Sequence, residues 1–282
     1  MEIPSSTLRT NDGLALHLRH WPCEGPRGRV LIVHGLGEHI DRYDAVARTL
    51  NSRGWAVSGY DQRGHGRSDG ARGSIAQDDS LCADLAGVVD AVRGSDRLVL
   101  LGHSLGGLLT ARFVAEALAT APASWSRPVD ALVLSSPALD LGMGAFQKLL
   151  LAVLGPMAPG LAVNNGLKPE WISRDPAVVR AYVQDPLVHD RVTPRLVRFL
   201  VDSGARVQSL ASRWTVPTLL MWAGSDRCVA PRGSVSFAAA AAPAVVRAEV
   251  FAPLFHDIFN EPERDQVLAS LTGWLESLDD GR

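Results

Sequence analysis

Hydrophobic and polar positions in the first half of the chain follow two alternating spacings. Runs with the period of buried or half-buried strands are found at residues 14–21, 30–33, 55–60, 98–101 and 131–135. Longer segments with apolar residues at helical spacing lie between them, at residues 41–53, 80–93 and 105–120. A turn, Asn11-Asp12-Gly13, predicts that residues 6–10 form a hairpin with the first strand. Such strand–helix alternation predicts a mostly parallel sheet covered by helices on both faces.

The pattern changes in the middle of the chain. Residues 138–212 contain helical segments broken by proline and glycine, and no convincing strand. Strand patterns resume at 218–223 and 247–251, with a helix at 234–242 and a closing helix at 265–278. We therefore expect an α/β core formed by residues 1–137 and 213–282, with residues 138–212 as a helical cap inserted into it.

Composition and net charge indicate an ordinary globular protein and argue against a nucleic-acid partner. The chain has 282 residues, of which 46% are hydrophobic and 21% charged, as in ordinary globular proteins. A formal net charge of −2 gives no field that would attract nucleic acid, so no nucleic-acid partner is expected.

Cysteine usage and the N-terminal residues bear on the cellular compartment. Cys23, Cys82 and Cys228 are far apart and odd in number, which argues against a disulfide framework or a structural zinc site. A reducing cytoplasm fits this usage, and the N-terminal residues lack a signal-peptide pattern. The most apolar stretch, at residues 149–163, is interrupted by Pro156 and Pro159 and is too short for a membrane span.

One motif points to chemistry. The sequence Gly102-His103-Ser104-Leu105-Gly106 has the form G-x-S-x-G, and it lies between a strand pattern and a helix pattern. A sharp strand-to-helix turn needs small residues on either side of its apex, and it would project Ser104 at the carboxyl edge of the sheet. The following helix would direct its N–H groups towards the same point. We expect Ser104 to be a nucleophile.

A serine hydroxyl needs a general base, and the loops after two later strands supply candidates. His256 follows the strand at 247–251, and Asp226 follows the strand at 218–223. The chain order Ser…Asp…His matches one arrangement of the catalytic triad, in which the carboxylate orients the imidazole. His103 is expected to be structural, because adjacent side chains on a tight turn point apart. Asp257 would need an unfavourable geometry to brace the neighbouring ring.

Acyl transfer also needs donors for the oxyanion that forms on the substrate carbonyl. We expect one backbone N–H from Leu105, the residue after the nucleophile, and a second from Leu36, in the loop after an early strand. Gly35 and Gly37 flank Leu36 and let this backbone approach the substrate closely.

Six segments resemble the monoacylglycerol lipase and lysophospholipase branch of the α/β-hydrolases. They are HGLGEHIDRY (34–43), GYDQRGHGRSDG (59–70), GHSLGG (102–107), LSSPAL (134–139), AGSDRCV (223–229) and HDIFNEP (256–262). The resemblance implies the α/β-hydrolase fold with an eight-stranded sheet, and it assigns Ser104, Asp226 and His256 to the triad and Leu36 and Leu105 to the oxyanion hole.

The same resemblance extends to the substrate. It places Glu38 and Arg42 near the glycerol end of the substrate, while a salt-bridged pair that supports the oxyanion loop is an equal alternative. The insertion matches the family's cap, whose outer face meets lipid. The apolar segment at residues 146–154 fits such transient lipid contact, and it equally fits packing on the core.

The expected function is therefore hydrolysis of monoacylglycerols or related lipid esters through an acyl-enzyme, with no metal or organic cofactor. A broad-specificity esterase, a lysophospholipase, a lactonase or an amidase could use the same triad. Dehalogenases and epoxide hydrolases are disfavoured, since those relatives have aspartate where Ser104 stands. A noncatalytic binding module would be expected to have lost part of the triad or hole, whereas every position here is filled.

Overall fold

Ten strands and eight α-helices are assigned in the computed structural model, which describes residues 5–278. The side chains of Phe146, Lys148, Leu150 and Leu154 lie outside the described part, so the expectation for the apolar segment 146–154 can be followed only at its other residues. The strands are β1 (Ser5–Arg9), β2 (Ala15–Trp21), β3 (Gly28–Val33), β4 (Trp55–Tyr60), β5 (Leu98–His103), β6 (Ala131–Ser135), β7 (Val163–Asn164), β8 (Arg191–Val192), β9 (Thr218–Ala223) and β10 (Val246–Phe251). The helices are α1 (Asp44–Ser52), α2 (Ser80–Val92), α3 (Leu105–Glu116), α4 (Ala145–Leu154), α5 (Pro176–Gln184), α6 (Pro194–Leu210), α7 (Pro231–Ala240) and α8 (Arg264–Ser277).

Eight of the strands form one twisted layer in the order β1-β2-β4-β3-β5-β6-β9-β10. The pairs β1–β2 and β2–β4 are antiparallel, and all the others are parallel. This confirms the expected α/β-hydrolase fold with a mostly parallel eight-stranded sheet. Because β5, β9 and β10 run in the same direction, the loops that follow them emerge at one edge of the sheet.

Side-chain alternation along the strands explains why helices cover both faces. In β3, Leu31 and Val33 join a core formed with α2, α3 and α6, whereas Val30 and Ile32 join a second core formed with α1 and α8. Strand β5 alternates in the same way and is buried at all of its residues. A strand buried on both sides is expected to be a continuous apolar run, which is the pattern of residues 98–101 in β5.

Several helices begin or end at residues other than those predicted. Helix α3 ends at Glu116 instead of residue 120, because Leu118 and Ala119 donate to the carbonyls three residues back instead of four. Helix α7 begins at Pro231, three residues before the predicted start, with proline at its first position. The helix predicted at 41–53 is a 3₁₀ turn, Ile40–Tyr43, followed by α1.

The middle segment departs from the prediction that it contains no strand. Strands β7 and β8 pair antiparallel, Val163 with Val192 and Asn164 with Arg191. Two residues per strand are too few to show a period in the sequence, so the pair was missed. Helix α6 packs on α3 and contributes to the same core, while α5 and the short 3₁₀ helix Pro169–Trp171 lie over the carboxyl edge of the sheet near Ser104.

None of the helices within residues 5–278 combines the length and the apolar character needed to cross a lipid bilayer. Cys23, Cys82 and Cys228 are all free thiols.

Helix α3 carries the candidate nucleophile at its start, so its packing sets the position of the site. We expect Phe113→Ala to lower the free energy of unfolding by about 3–5 kcal/mol, since a fully buried ring stacked on Trp125 would be replaced by a cavity. Urea unfolding measures this change. Val250→Ala is the control, because half-exposed Val250 should cost at most about 0.5 kcal/mol. Equal losses in the two variants would contradict this account of the core.

Candidate active site

Ser104 lies at the apex of the turn between β5 and α3, in a strained backbone conformation. Its φ is 53° and its ψ is −117°; among the described residues other than glycine, only Ser104 and Ser136 have positive φ. The crossing is tight: a Cβ on Gly106 would lie 2.0 Å from the carbonyl oxygen of Val33. Such strain costs about 1–3 kcal/mol and is held by the surrounding packing. The turn thereby presents the Ser104 side chain away from the sheet.

Three loops bring Ser104, His256 and Asp226 into one hydrogen-bonded chain. His256 Nε2 lies 2.8 Å from Ser104 Oγ, and His256 Nδ1 lies 2.7 Å from Asp226 Oδ2. Because a carboxylate only accepts hydrogen bonds, Nδ1 carries the ring proton, and Nε2 is left to accept from the Ser104 hydroxyl. The imidazole therefore has the tautomer that a general base requires.

The Asp226 carboxylate is held in place by backbone groups of its own loop. Asp226 Oδ1 accepts hydrogen bonds from the backbone N–H groups of Cys228, at 2.8 Å, and Val229, at 3.0 Å. Burial raises the pKa of Asp226, but the His256 imidazolium and these hydrogen bonds outweigh burial and leave it below 3.8. Asp226 is therefore ionised at neutral pH.

The pKa of His256 is shifted in the opposite direction to that of Asp226. Burial disfavours the imidazolium, but the negative charge and hydrogen bond of Asp226 outweigh burial, with smaller contributions from Asp257 and Glu38. The pKa of His256 consequently lies above its ordinary value of 6.5. The ring can therefore hold the proton that it takes from a serine.

A second loop, residues 34–39, passes beside the nucleophile. A Cβ on Gly35 would lie 3.1 Å from Ser104 Cβ, and Gly35 and Leu36 line the same cleft as Ser104. Leu105 is the first residue of α3, so its N–H has no acceptor within the helix. Of the two residues expected to donate to an oxyanion, Leu36 thus lines the cleft beside Ser104 and Leu105 follows Ser104 in the chain with a free helical N–H.

Glu38 and Arg42 form a brace beneath this loop. Glu38 Oε1 accepts from the backbone N–H of Gly35, at 2.6 Å, and from the hydroxyl of Tyr43, at 2.7 Å. Arg42 Nε donates to Glu38 Oε2 at 2.9 Å, and Arg42 Nη2 donates to Asp257 Oδ2 at 2.8 Å. Burial raises the pKa of Glu38, but Arg42, the nearby histidines and the hydrogen bond from Tyr43 together outweigh burial and lower it to about 2. These contacts fit the alternative of a salt-bridged pair that supports the oxyanion loop. Both side chains also line the cleft.

The competing side chains do not join the chain of hydrogen bonds. His103 Nδ1 lies 3.0 Å from Ser135 Oγ. Asp257 binds Arg42 and Asn260 instead of the neighbouring imidazole.

The cleft above Ser104 has a volume of about 320 Å³ and is walled by both the core and the insertion. Its apolar lining includes Leu36, Leu167, Ile172, Val183 and Val188. Its polar lining includes Glu38, Arg42, His103, Tyr182, Asp185, His189 and Asp257. Leu167 and Val183 are exposed, so the cleft opens to solvent at this rim.

Sequence reasoning missed the polar residues with which the insertion lines the cleft, among them Tyr182, Asp185 and His189. The available signal was a group of polar residues around the end of α5, within residues 182–190. Such a group has no spacing that assigns it to a particular site.

One group of side chains has a composition that could hold a metal ion. Ligand atoms of Asp226, Cys228 and His256 lie within 4.8 Å of one another. However, Asp226 and His256 are hydrogen-bonded to each other, and burial raises the pKa of the Cys228 thiol well above its usual range. A protonated thiol is a poor metal ligand, so the arrangement fits proton transfer better than metal binding.

Comparisons with known proteins identify the family of this chain. The model of the family described as serine aminopeptidase S33 matches residues 24–263. The monoacylglycerol lipase of Mycolicibacterium smegmatis is 35% identical over 262 residues, covering 91% of this chain and 90% of that protein. The phospholipase YtpA of Bacillus subtilis is 31% identical, covering 91% of this chain and 98% of that protein.

A solved structure shows that the fold is shared as well. The crystal structure of the Paleococcus ferrophilus monoacylglycerol lipase has a TM-score of 0.81 to this chain at 31% identity, covering 98% of this chain and 99% of that one. The chain therefore belongs to the serine aminopeptidase S33 family of α/β-hydrolases, and it is a serine hydrolase similar to the monoacylglycerol lipases.

Proposed function

We propose that this protein hydrolyses monoacylglycerols or related lipid esters through a covalent acyl-enzyme on Ser104. The observation that carries the proposal is the hydrogen-bonded chain from Asp226 through His256 to Ser104, at the floor of a cleft with apolar and polar walls. The names of two relatives, a monoacylglycerol lipase and a phospholipase, support lipid esters as the substrate class.

In the proposed mechanism, Ser104 Oγ attacks the ester carbonyl while its proton passes to His256 Nε2. The carbonyl oxygen becomes an oxyanion, which the N–H groups of Leu36 and Leu105 stabilise. The C–O bond to the alcohol then breaks, and the imidazolium of His256 protonates the leaving oxygen. Water attacks the acyl-enzyme with His256 again as base, which releases the acid and restores Ser104.

The lining of the cleft supports an orientation for the substrate. The glycerol hydroxyls would lie near the polar side chains that include Glu38, Arg42 and Tyr182, and the acyl chain would contact Leu167, Ile172 and Val183. A cleft of about 320 Å³ that opens at an exposed rim also favours a second candidate, a broad esterase that accepts short esters.

We also propose that residues 138–212 form a cap that touches lipid. Leu149, Val153 and Met157 follow one another at four-residue intervals and are exposed by 61%, 56% and 79%. Exposed apolar patches of this kind are typical of interaction surfaces. Three free thiols support a reducing compartment, the cytoplasm, as the location.

The proposed function is tested by measuring turnover by the purified protein of 1-monoacylglycerols of increasing chain length and of p-nitrophenyl butyrate. We expect faster turnover of monoacylglycerols and labelling by a fluorophosphonate probe. Ser104→Ala should lower kcat by about 10⁶-fold on every substrate and abolish labelling, because the nucleophile is lost. Undiminished turnover by Ser104→Ala would refute the mechanism, whereas turnover of aryl esters alone would favour the broad esterase.

The pH dependence follows from the charges around His256. Only the neutral imidazole accepts a proton, so kcat/KM should fall on the acid side with a midpoint above 6.5, the direction in which Asp226 shifts the pKa. Asp226→Asn should lower this midpoint, since the main contribution that raises the pKa of His256 is lost, and it should lower kcat by about 10⁴-fold because the ring tautomer is no longer held. Initial rates from pH 4 to 10 measure both effects. A wild-type midpoint below 6.5 would contradict the account.

Contact with lipid is tested by sedimentation with phosphatidylcholine vesicles. Leu149→Asp combined with Val153→Asp should lower the partition coefficient at least about tenfold, because two apolar side chains leave the interface. Val250→Asp is the matched control, as Val250 is 52% exposed but lies on β10, outside the cap. Circular dichroism verifies that each variant is folded. Equal partitioning of all three proteins would rule out the cap as the lipid-contacting surface.

A further inference from the structure

The turn that follows α5 in the insertion contacts the loop that carries Leu36. His39 Nε2 lies 2.8 Å from Asp185 Oδ2, and the backbone N–H of His189 donates to the carbonyl of Gly37 at 2.9 Å. These two bonds join segments that are about 150 residues apart in sequence, and both involve the half of the loop beyond Leu36.

The carboxylate of Asp185 also holds its own turn. Its Oδ1 accepts from the backbone N–H of Leu187 at 2.9 Å, while its carbonyl accepts from Val188 at 3.2 Å. Since a carboxylate only accepts, the bond to His39 is donated by Nε2–H of that ring. Burial raises the pKa of Asp185, but the hydrogen bonds from His39 and Leu187 outweigh burial and lower it. Asp185 is thus an anion with one oxygen bound to the turn and the other to the loop.

The turn and the loop are also in close steric contact. Gly37 has a φ of 79°, and a Cβ there would lie 2.3 Å from the carbonyl oxygen of His189. Nearby, the Arg42 guanidinium lies 4.9 Å from the centre of the Tyr182 ring, which is carried by α5. A displacement of the turn would therefore move Gly37 and its neighbour Leu36.

The two sides of the loop are held by different parts of the fold. Glu38 binds the N–H of Gly35 within the core, as described above, whereas Gly37 and His39 are bound by the insertion. Leu36 lies between these anchors.

We propose that Asp185 is a positioning residue for ester hydrolysis: through His39 it holds residues 36–39 so that the N–H of Leu36 faces the oxyanion. This inference rests on the proposed function. An oxyanion donor must lie close to 3 Å from the developing charge, and complete loss of one such donor costs about 10²–10³-fold in kcat. Loss of the Asp185 anchor displaces the donor without removing it, so a smaller effect is expected.

The experiment compares Asp185→Asn with Asp175→Asn, using soluble p-nitrophenyl butyrate and active-site titration. In Asp185→Asn the side-chain amide can still accept from Leu187 but lacks the second acceptor oxygen for His39. We expect kcat per titrated site to fall about 10- to 100-fold, with KM within about threefold, because the transition state loses more than the ground state. Asp175 accepts from Ala177 at 2.8 Å at the other end of α5, and asparagine serves equally as a helix cap there. Asp175→Asn should stay within about twofold of wild type.

Variants of the partner residue provide an independent arm. His39→Ala should lower kcat as much as Asp185→Asn, and adding Asp185→Asn to it should have little further effect, because the two residues act through one bond. His39→Gln keeps an N–H donor and should recover most of the loss. A trifluoromethyl ketone, which forms an oxyanion on Ser104, should bind Asp185→Asn more weakly by the same factor as the loss in kcat.

Hydrogen–deuterium exchange of a peptide covering residues 34–39 separates this inference from the proposed function. Faster exchange in Asp185→Asn together with the selective loss of kcat supports the inference. Unchanged kcat per titrated site, or a loss that His39→Gln fails to recover, overturns it. A wild-type protein without esterase activity would refute the proposed function. If exchange of residues 34–39 is then also the same in wild type and Asp185→Asn, the proposal that Asp185 holds this loop is refuted as well. If Asp185→Asn does not fold, the His39 variants decide.

Discussion

The site depends on one constraint, the passage of the chain from β5 into α3 within a single strained residue. Ser104 has a φ of 53°, and α3 lies so close to the end of β3 that a Cβ on Gly106 would collide with the carbonyl oxygen of Val33. The buried residues of α3 fix the helix on the sheet, and the helix in turn fixes the serine and the N–H of Leu105. The strain is thus stabilised by the core, and the geometry of the reaction is inherited from the packing.

Sequence reasoning predicted this part of the site because its signals are local or topological. G-x-S-x-G between strand and helix patterns identified Ser104, and loops after parallel strands identified Asp226 and His256, which the structure places within hydrogen-bonding distance of one another. For Glu38 and Arg42 the family resemblance left two roles open, contact with the glycerol end of the substrate and a salt-bridged pair that supports the oxyanion loop. That Asp257 shares this pair, from 215 residues away, had no local signal.

What could not be predicted lies in the insertion, where the constraints are long-range. Strands β7 and β8 are too short to show a period, and the bond between Asp185 and His39 spans 146 residues. A histidine in a motif and an aspartate after a helix each fit many roles, so only their meeting in space identifies the contact. The same holds for Tyr182, whose position beside Arg42 depends on how α5 lies over the sheet edge.

The insertion is bound to the oxyanion loop, residues 34–39, and also to the histidine loop, the segment after β10 that carries His256. The backbone N–H of Asp257 donates to the carbonyl of Ile172 at 2.8 Å, and the Arg174 guanidinium donates to the buried carboxylate of Glu261 at 2.6 Å. Lifting this part of the insertion as a rigid lid would break these bonds and separate the Glu261 carboxylate from its charged partner, at a cost of several kcal/mol. A substrate that enters at the exposed rim between Leu167 and Val183 breaks none of them. Access through the rim therefore keeps the oxyanion loop and the histidine loop in place while the ester binds, whereas lifting the insertion would disturb both.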